Sequence, residues 1–130
     1  MVDATDPHDE IRAIQALASA TARRTPGWTP LHTAAQLGSL DAVRRFLDGG
    51  LPPGVCTGDG QTPLHLAAQE GHLAVVHLLM ARGADAEAED EHGMTPVQRA
   101  AERGRTRIAR FLREAGGPAR APRWWRRWRR

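Results

Sequence analysis

The sequence predicts an all-α fold, a solenoid in which short helix-turn-helix units stack side by side. Three observations support this prediction. The first is a Thr-Pro pair that recurs every 33 residues, at Thr29, Thr62 and Thr95. The second is an apolar pattern of helical spacing after each pair, and the third is a glycine that ends each predicted helix. A single helical hairpin cannot bury its own apolar face, so such units have to stack on neighbours.

The middle unit, residues 62–85, carries the pattern most clearly. Thr62 is a hydroxyl cap, and proline follows at the first helical position, where the missing N–H has no cost. The next apolar residues fall at helical spacing: Leu64, Ala67 and Ala68. Gly71 ends this first helix, and a second helix over residues 72–81 is ended by Gly83. The unit is therefore a helical hairpin with a glycine turn.

The same period of 33 residues runs through the rest of the chain. Equivalent positions are Gly27, Gly60 and Gly93; Ala34, Ala67 and Ala100; Gly38, Gly71 and Gly104; Phe46, Leu79 and Leu112; and Gly50, Gly83 and Gly116. With Thr62-Pro63-Leu64-His65, this pattern resembles the ankyrin repeat family, whose period and T-P-L-H-x-A motif it shares. The resemblance covers about residues 18–117 and departs from the motif at Val97-Gln98 in the third unit.

The resemblance implies a solenoid of three ankyrin-like repeats at about residues 25–56, 57–89 and 90–117. It also implies β-hairpin-like loops that project between repeats, at residues 18–28, 51–61 and 84–94. Asp59-Gly60 is a candidate tight turn in the second loop. The family resemblance gives His32 and His65 a structural role, in which each side chain bonds to the backbone of the neighbouring loop.

Residues 1–24 are predicted to form an N-terminal capping helix and the first loop. Asp6-Pro7 starts a helix, and one apolar stripe follows, formed by Ile11, Ile14, Leu17 and Ala18. In the register of the repeats, residues 7–17 stand where the second helix of a preceding repeat would lie. The segment is either a cap or a remnant of a longer array, and we favour a cap because end repeats are atypical. The helix at residues 30–37 would then have one exposed flank.

The charge of +3 is unevenly distributed, because six arginines lie in the last eleven residues and leave −3 on the rest. The tail, residues 118–130, combines tryptophan with arginine: Trp124, Trp125, Arg126, Arg127 and Trp128. We expect it to be disordered alone, since so short a segment does not hold a helix in water. An anionic membrane, a nucleic acid and the acidic third loop are its candidate partners, and a tail without a role is the remaining alternative.

Two further charged groups have alternative interpretations. The third loop is acidic, with Glu87, Glu89, Asp90 and Glu91, and is either simply solvated or a contact patch for a basic partner. The last repeat carries Arg103, Arg105, Arg107, Arg110 and Arg113. We interpret these arginines first as the polar outer face that a terminal repeat needs for solubility, and second as a nucleic-acid face.

Catalytic and metal-binding functions are not indicated. No G-x-S-x-G, phosphate-loop or H-E-x-x-H motif occurs, and the six histidines lack ligand spacing. We therefore expect neither an enzyme nor a cofactor. The single cysteine, Cys56, allows no internal disulfide and suits a reducing compartment. No apolar run reaches the roughly 20 residues of a membrane span. The expected setting is the cytosol or nucleus, and the expected state is a monomer.

The function that remains is protein–protein binding, and the resemblance implies which residues make contact. In the family, partners meet the loop tips and the exposed face of the first helix of each repeat. Carried onto this chain, these positions are Thr25, Pro26, Trp28, Gln36 and Leu37; Gly58, Asp59, Gln61, Gln69 and Glu70; and Glu91, His92, Met94, Glu102 and Arg103. Trp28 is either an interface anchor or a cover over the first repeat, packed on Ile14 or Leu17. The alternative function is membrane or nucleic-acid association through the tail.

Overall fold

A computed structural model of the protein describes residues 7–116, which contain seven α-helices. Their bounds are α1 Pro7–Ala22, α2 Pro30–Leu37, α3 Leu40–Asp48, α4 Pro63–Glu70, α5 Leu73–Ala81, α6 Pro96–Glu102 and α7 Thr106–Gly116. No strand is assigned within these residues. The predicted all-α class is confirmed.

The helices form two layers, because each repeat contributes one inner and one outer helix. The inner helices α2, α4 and α6 contact one another in that order, and the outer helices α3, α5 and α7 do the same. The core lies between the layers and runs the length of the stack. Its largest fully buried apolar side chains include Leu31, Leu64, Leu79 and Leu112. Stacked hairpins therefore share one continuous core, as the period of the sequence predicts.

All three inner helices begin with a Thr-Pro cap, and α2 and α4 both end at a glycine with a positive φ. In α4, the Thr62 hydroxyl accepts a hydrogen bond from the His65 N–H at 3.3 Å, and the Thr62 N–H donates to His65 Nδ1 at 3.2 Å. This reciprocal pair satisfies two backbone donors at the start of the helix. At the other end, Gly71 adopts a φ of 86°, and its N–H donates to the Ala67 carbonyl. The predicted start and stop signals are both confirmed here.

The N-terminal helix is longer than the sequence pattern predicts. Residues 18–22, expected to belong to the first loop, continue α1 to Ala22. The reason lies one residue earlier, since Leu17 stands where the later repeats have Gly50 and Gly83. Those glycines adopt positive φ values of 106° and 95° and let the chain leave its helix. Leucine and the alanines after it favour helix, so α1 continues.

The expected exposed flank of α2 is not present, because α1 covers it. α1 contacts α2 and also α3. Ile14 and Ala18 on α1 are each 2% exposed, and Leu31 and Ala34 on α2 are fully buried. The Ser39 hydroxyl, in the turn between α2 and α3, donates to the Glu10 carboxylate at 2.6 Å. The long α1 thus shields the flank of the first repeat around Leu31 and Ala34.

Three tight turns project between the helices, and we call them the first finger (residues 25–28), the second finger (57–61) and the third finger (90–94). In the second finger, the Gly60 N–H donates to the Thr57 carbonyl at 2.8 Å, and Gly60 has a φ of 80°. The Thr57 N–H donates to the Gln61 carbonyl at 3.0 Å. This geometry confirms the tight turn predicted at Asp59-Gly60, with hairpin-like pairing across it.

Neighbouring fingers are joined backbone to backbone. The Gly58 N–H donates to the Pro26 carbonyl at 2.7 Å, and the Glu91 N–H donates to the Asp59 carbonyl at 2.8 Å. At Gly60, a Cβ atom would lie 2.9 Å from the Cα atom of Asp90. Only glycine allows an approach this close at a positive φ. The three fingers therefore form one continuous row along an edge of the stack.

Candidate functional site

Two buried histidines fix the finger row to the helices. His32 Nε2 lies 3.0 Å from the Gln61 carbonyl oxygen, and His65 Nε2 lies 2.8 Å from that of Met94. On the other side of each ring, Nδ1 accepts the N–H of the capping threonine, as described for Thr62. Each histidine thus ties the start of one inner helix to the finger of the next repeat. The structural role that the sequence assigned to these histidines is confirmed.

Burial also sets the charge of these rings. It lowers the pKa of His32, and this effect outweighs the hydrogen bond to the Gln61 carbonyl, which would raise it. Burial lowers the pKa of His65 in the same way, against the bond to Met94. Since Nδ1 accepts and Nε2 donates, the neutral ring satisfies both partners at neutral pH. Within residues 7–116, no group of three or more His, Cys, Asp or Glu side chains is arranged to hold a metal ion.

The residues that sequence reasoning assigned to the fingers lie in register along the row. Their equivalent positions in the three fingers are Thr25, Gly58 and Glu91; Pro26, Asp59 and His92; and Trp28, Gln61 and Met94. The tip residues are exposed, namely Pro26, Gly58, Asp59, Glu91 and His92. The members of the third set are all half-buried, at the base of the fingers. The structure therefore brings the finger residues together as one surface.

The remaining candidate residues lie at the opposite ends of the inner helices. They are Gln36 and Leu37 on α2, Gln69 and Glu70 on α4, and Glu102 and Arg103 at the end of α6. Leu37 is 54% exposed, one of two large hydrophobic side chains in the described residues that lie open to solvent. An inner helix of eight residues is about 12 Å long, which separates this second row from the fingers.

Trp28 is held within its own repeat. Its indole Nε1–H donates to the Thr33 hydroxyl at 2.7 Å, and its ring centroid lies 5.1 Å from that of His32. The side chain packs against the core and is half-buried. Leu17, one of the packing partners offered by the sequence, is 52% exposed. The indole is therefore fixed in place while part of it faces solvent.

Sequence reasoning missed an ion pair under the third finger. Asp90 is only 7% exposed, so it does not belong to an acidic contact patch, and that part of the expectation is wrong. Its carboxylate accepts from Arg99 Nε at 3.0 Å and Nη2 at 2.6 Å, and from the Met94 N–H at 3.0 Å. Burial by itself would raise the pKa of Asp90, but these hydrogen bonds and the Arg99 charge hold it below its ordinary value.

One signal in the sequence could have indicated this pair. Asp90 is equivalent to Thr57, whose hydroxyl accepts the Gln61 N–H at 3.2 Å and closes the second finger. Arg99 is equivalent to Leu66, which is buried. The third repeat thus replaces a hydroxyl and an apolar side chain by two opposite charges. Such a paired change at positions nine residues apart points to a contact between them.

The tail residues Trp124, Trp125, Arg126, Arg127 and Trp128 lie outside the described part of the chain, so the alternative function that depends on them stays a prediction. Of the helices in residues 7–116, none has the length and hydropathy that a membrane span requires.

Comparison with known proteins identifies the fold. The family model described as "Ankyrin repeats (3 copies)" matches residues 4–90 and 45–120, which together cover most of the chain. No individual curated protein matches the sequence. Ankyrin repeats are generally modules of protein–protein interaction, and the family is typically non-catalytic. The matched repeats and the stacked helical hairpins agree, and the chain belongs to the ankyrin repeat family.

Proposed function

We propose that the protein binds a partner protein, without catalysis, through the finger row and the exposed ends of its inner helices. The observation that carries this proposal is the backbone network of the fingers. Two histidines hold the carbonyls of Gln61 and Met94, and direct backbone hydrogen bonds join each finger to the next. A surface that is already ordered before binding loses little conformational entropy when a partner arrives.

Trp28 is the proposed anchor of this surface. Its indole is fixed by Thr33 and His32, and its remaining area faces solvent beside the exposed tip of the first finger. Rigid aromatic side chains of this kind commonly contribute about 2 kcal/mol or more to an interface. Met94 offers a second apolar contact at the third finger, and Leu37 offers one at the end of α2.

We also propose that the protein works as a monomer in the cytosol or, in a eukaryote, the nucleus. A single free cysteine, Cys56, fits a reducing compartment.

The test compares proteins captured by the full chain and by variants. A contact-face variant combines Trp28→Ala with Met94→Ala. A control variant combines Arg44→Ala with Arg110→Ala, two exposed positions on outer helices. Thermal unfolding is measured for each, because Trp28 also packs on the core. We expect partners to be retained by the control variant and lost from the contact-face variant.

A deletion of residues 119–130 distinguishes the alternative. If capture survives loss of Trp28 and Met94 but disappears with the deletion, the tail carries the affinity. Binding that also weakens steeply with ionic strength would then identify membrane or nucleic-acid association as the function.

A further inference from the structure

The two ends of the finger row carry opposite charge, and the end at the first finger is basic. Arg23 and Arg24 directly follow α1 and precede the first finger, and both side chains are exposed. Among the described residues, neither takes part in an ion pair. The backbone at this end is fixed, because the Arg24 and Thr25 N–H groups both donate to the Thr21 carbonyl. Two exposed cationic side chains therefore extend from a fixed stretch of backbone.

The other end of the row is acidic. Glu89 and Glu91 flank the buried Asp90 and are exposed. Asp90 does not add to the free charge, since Arg99 neutralises it. His92 Nε2 lies 3.3 Å from the Glu91 carboxylate, and both side chains are more than half exposed. In the register of the repeats, Arg23, Cys56 and Glu89 are equivalent, so the charge changes from positive through neutral to negative along the stack.

Other charges on the inner side are too far away to cancel this polarity. Glu70, Glu102 and Arg103 lie at the opposite ends of their helices, about 12 Å from the fingers. That distance exceeds the Debye length of roughly 8 Å at physiological ionic strength. The exposed Asp59, at the tip of the second finger, extends the acidic part of the row toward its middle.

We propose that the partner of this surface is an extended polypeptide segment that crosses all three fingers in one direction. An acidic side chain of the segment meets Arg23 and Arg24, and a lysine or arginine meets Glu89 and Glu91. This inference rests on the proposed function and specifies its partner. A nucleic acid or an anionic membrane fits less well, since its phosphates would be repelled at the third finger.

The geometry of the stack sets the spacing of these two charges in the partner. Each finger contributes two chain passes, so neighbouring repeats are about 10 Å apart and the outer fingers about 20 Å apart. An extended chain rises about 3.3 Å per residue. The acidic and basic residues of the segment should therefore be separated by about six residues.

The experiment selects peptides of about twelve residues, a length that spans the row, from a random display library on the full chain. Dissociation constants of the enriched peptides are then measured for the wild type, for the contact-face variant with Trp28→Ala and Met94→Ala, and for three charge variants. Two of these variants each reverse the charge at one end of the row. One combines Arg23→Glu with Arg24→Glu, and the other combines Glu89→Arg with Glu91→Arg. The third, Arg44→Glu with Arg110→Glu, changes the charge of the outer face by the same amount and with the same sign as the Arg23→Glu and Arg24→Glu variant.

We expect enriched peptides to carry an acidic and a basic residue about six positions apart. Each end reversal should weaken binding about tenfold or more, and the outer-face control should change it less than about twofold. Changing the acidic residue of the peptide to lysine should restore binding to the variant with Arg23→Glu and Arg24→Glu. Rescue by the matching charge assigns each end of the peptide to one end of the row.

Two results would overturn the inference, and they differ in their consequence. Peptides that lose binding with Trp28→Ala but respond equally to the end reversals and the outer-face control would refute the charged partner and leave the proposed function intact. A failure to enrich any peptide, or enriched peptides that are indifferent to Trp28→Ala and Met94→Ala as well, would count against both.

Discussion

The second and third fingers have the same backbone turn but are stabilised in different ways. In the second finger, the Thr57 hydroxyl closes the turn, and both flanks are bonded to neighbouring fingers. The third finger has the second finger on one side only. In the third finger, the Asp90 carboxylate closes the turn and is itself held by Arg99 from α6 of the same repeat. The second finger is thus bonded to a neighbouring finger on each side, whereas the third finger is bonded to the second repeat through Asp59 and His65 and is held additionally by Arg99 of its own repeat.

The same contrast extends to the flank of the third repeat. Four positions of the second repeat are apolar or buried, namely His65, Leu66, Ala68 and Met80. Their equivalents in the third repeat are Gln98, Arg99, Ala101 and Arg113, of which three are exposed and Arg99 is paired. A polar terminal face is what keeps a solenoid soluble, and this supports the interpretation of Arg113 as part of a cap. Arg105, also assigned to that face, instead contacts the second repeat, where its Nε–H donates to the Gln69 carbonyl at 3.3 Å.

The largest expected effect comes from breaking the ion pair of the third finger. Asp90→Ala should lower the free energy of unfolding by about 4 kcal/mol, because it leaves Arg99 with only the exposed Glu102 carboxylate at 3.9 Å and leaves the turn without its acceptor. Urea unfolding measures the loss. As a control, Asp90→Thr combined with Arg99→Leu imports the pair of the second repeat and should recover most of the stability. A double variant as unstable as Asp90→Ala would refute the equivalence of the two fingers.

A smaller loss of stability is expected when the glycine of either finger is replaced by alanine, and its size should differ between the two fingers. Gly60 and Gly93 both have positive φ values, 80° and 73°, so alanine strains either turn. Only at Gly60 does the added Cβ also meet backbone, 2.9 Å from Asp90, whereas no atom lies within 4 Å at Gly93. We expect Gly93→Ala to cost about 1 kcal/mol and Gly60→Ala about 3 kcal/mol. Equal losses in thermal unfolding would show that the fingers do not touch.

Much of this architecture could be predicted from the sequence, because its signals are local. The start of each inner helix depends on a threonine, a proline and the side chain three residues on, as at Thr62-Pro63 and His65. The turn at Gly71 depends on one residue without a Cβ. These determinants act within a few residues, so a period of 33 places all three repeats at once.

The features that the sequence did not reveal depend on contacts between distant residues or on a missing signal. Burial of Asp90 depends on its pairing with Arg99 of α6, which only a comparison with the equivalent Thr57 and Leu66 could have indicated. The length of α1 follows from the absence of glycine at Leu17, and an absence is harder to notice than a motif. Whether Trp28 is covered depends on where α1 crosses α2.

The pH dependence of stability provides the next comparison, between the histidines and Asp90. The folded pKa of His32 and of His65 lies below the ordinary value of 6.5, so the unfolded state binds more protons as the pH falls. Their contribution is complete above pH 6.5 and is lost as the pH falls from there through the folded pKa. The contribution of Asp90 is lost only in stronger acid, below its ordinary value of 3.8.

The variant His65→Gln tests the histidine part of this dependence. Glutamine already serves at the equivalent Gln98, where its side-chain oxygen accepts the Thr95 N–H at 2.9 Å. The variant should keep the helix start and show a weaker loss of stability just below pH 6.5, as measured by urea unfolding at a series of pH values. An unchanged slope would mean that the ring of His65 does not resist protonation in the folded protein.

The smallest expected effect lies in the hydroxyl that closes the second finger. Thr57→Val keeps the shape of the side chain but removes the acceptor of the Gln61 N–H, and should cost about 1 kcal/mol. Thr57→Ser, which keeps the hydroxyl, is the matched control and should cost less. The loss is small because the neighbouring fingers still hold the second finger through the Pro26 carbonyl and the Glu91 N–H. If Thr57→Val were as damaging as Asp90→Ala, the second finger would depend on its own side chain after all, and the neighbours would contribute little to its stability.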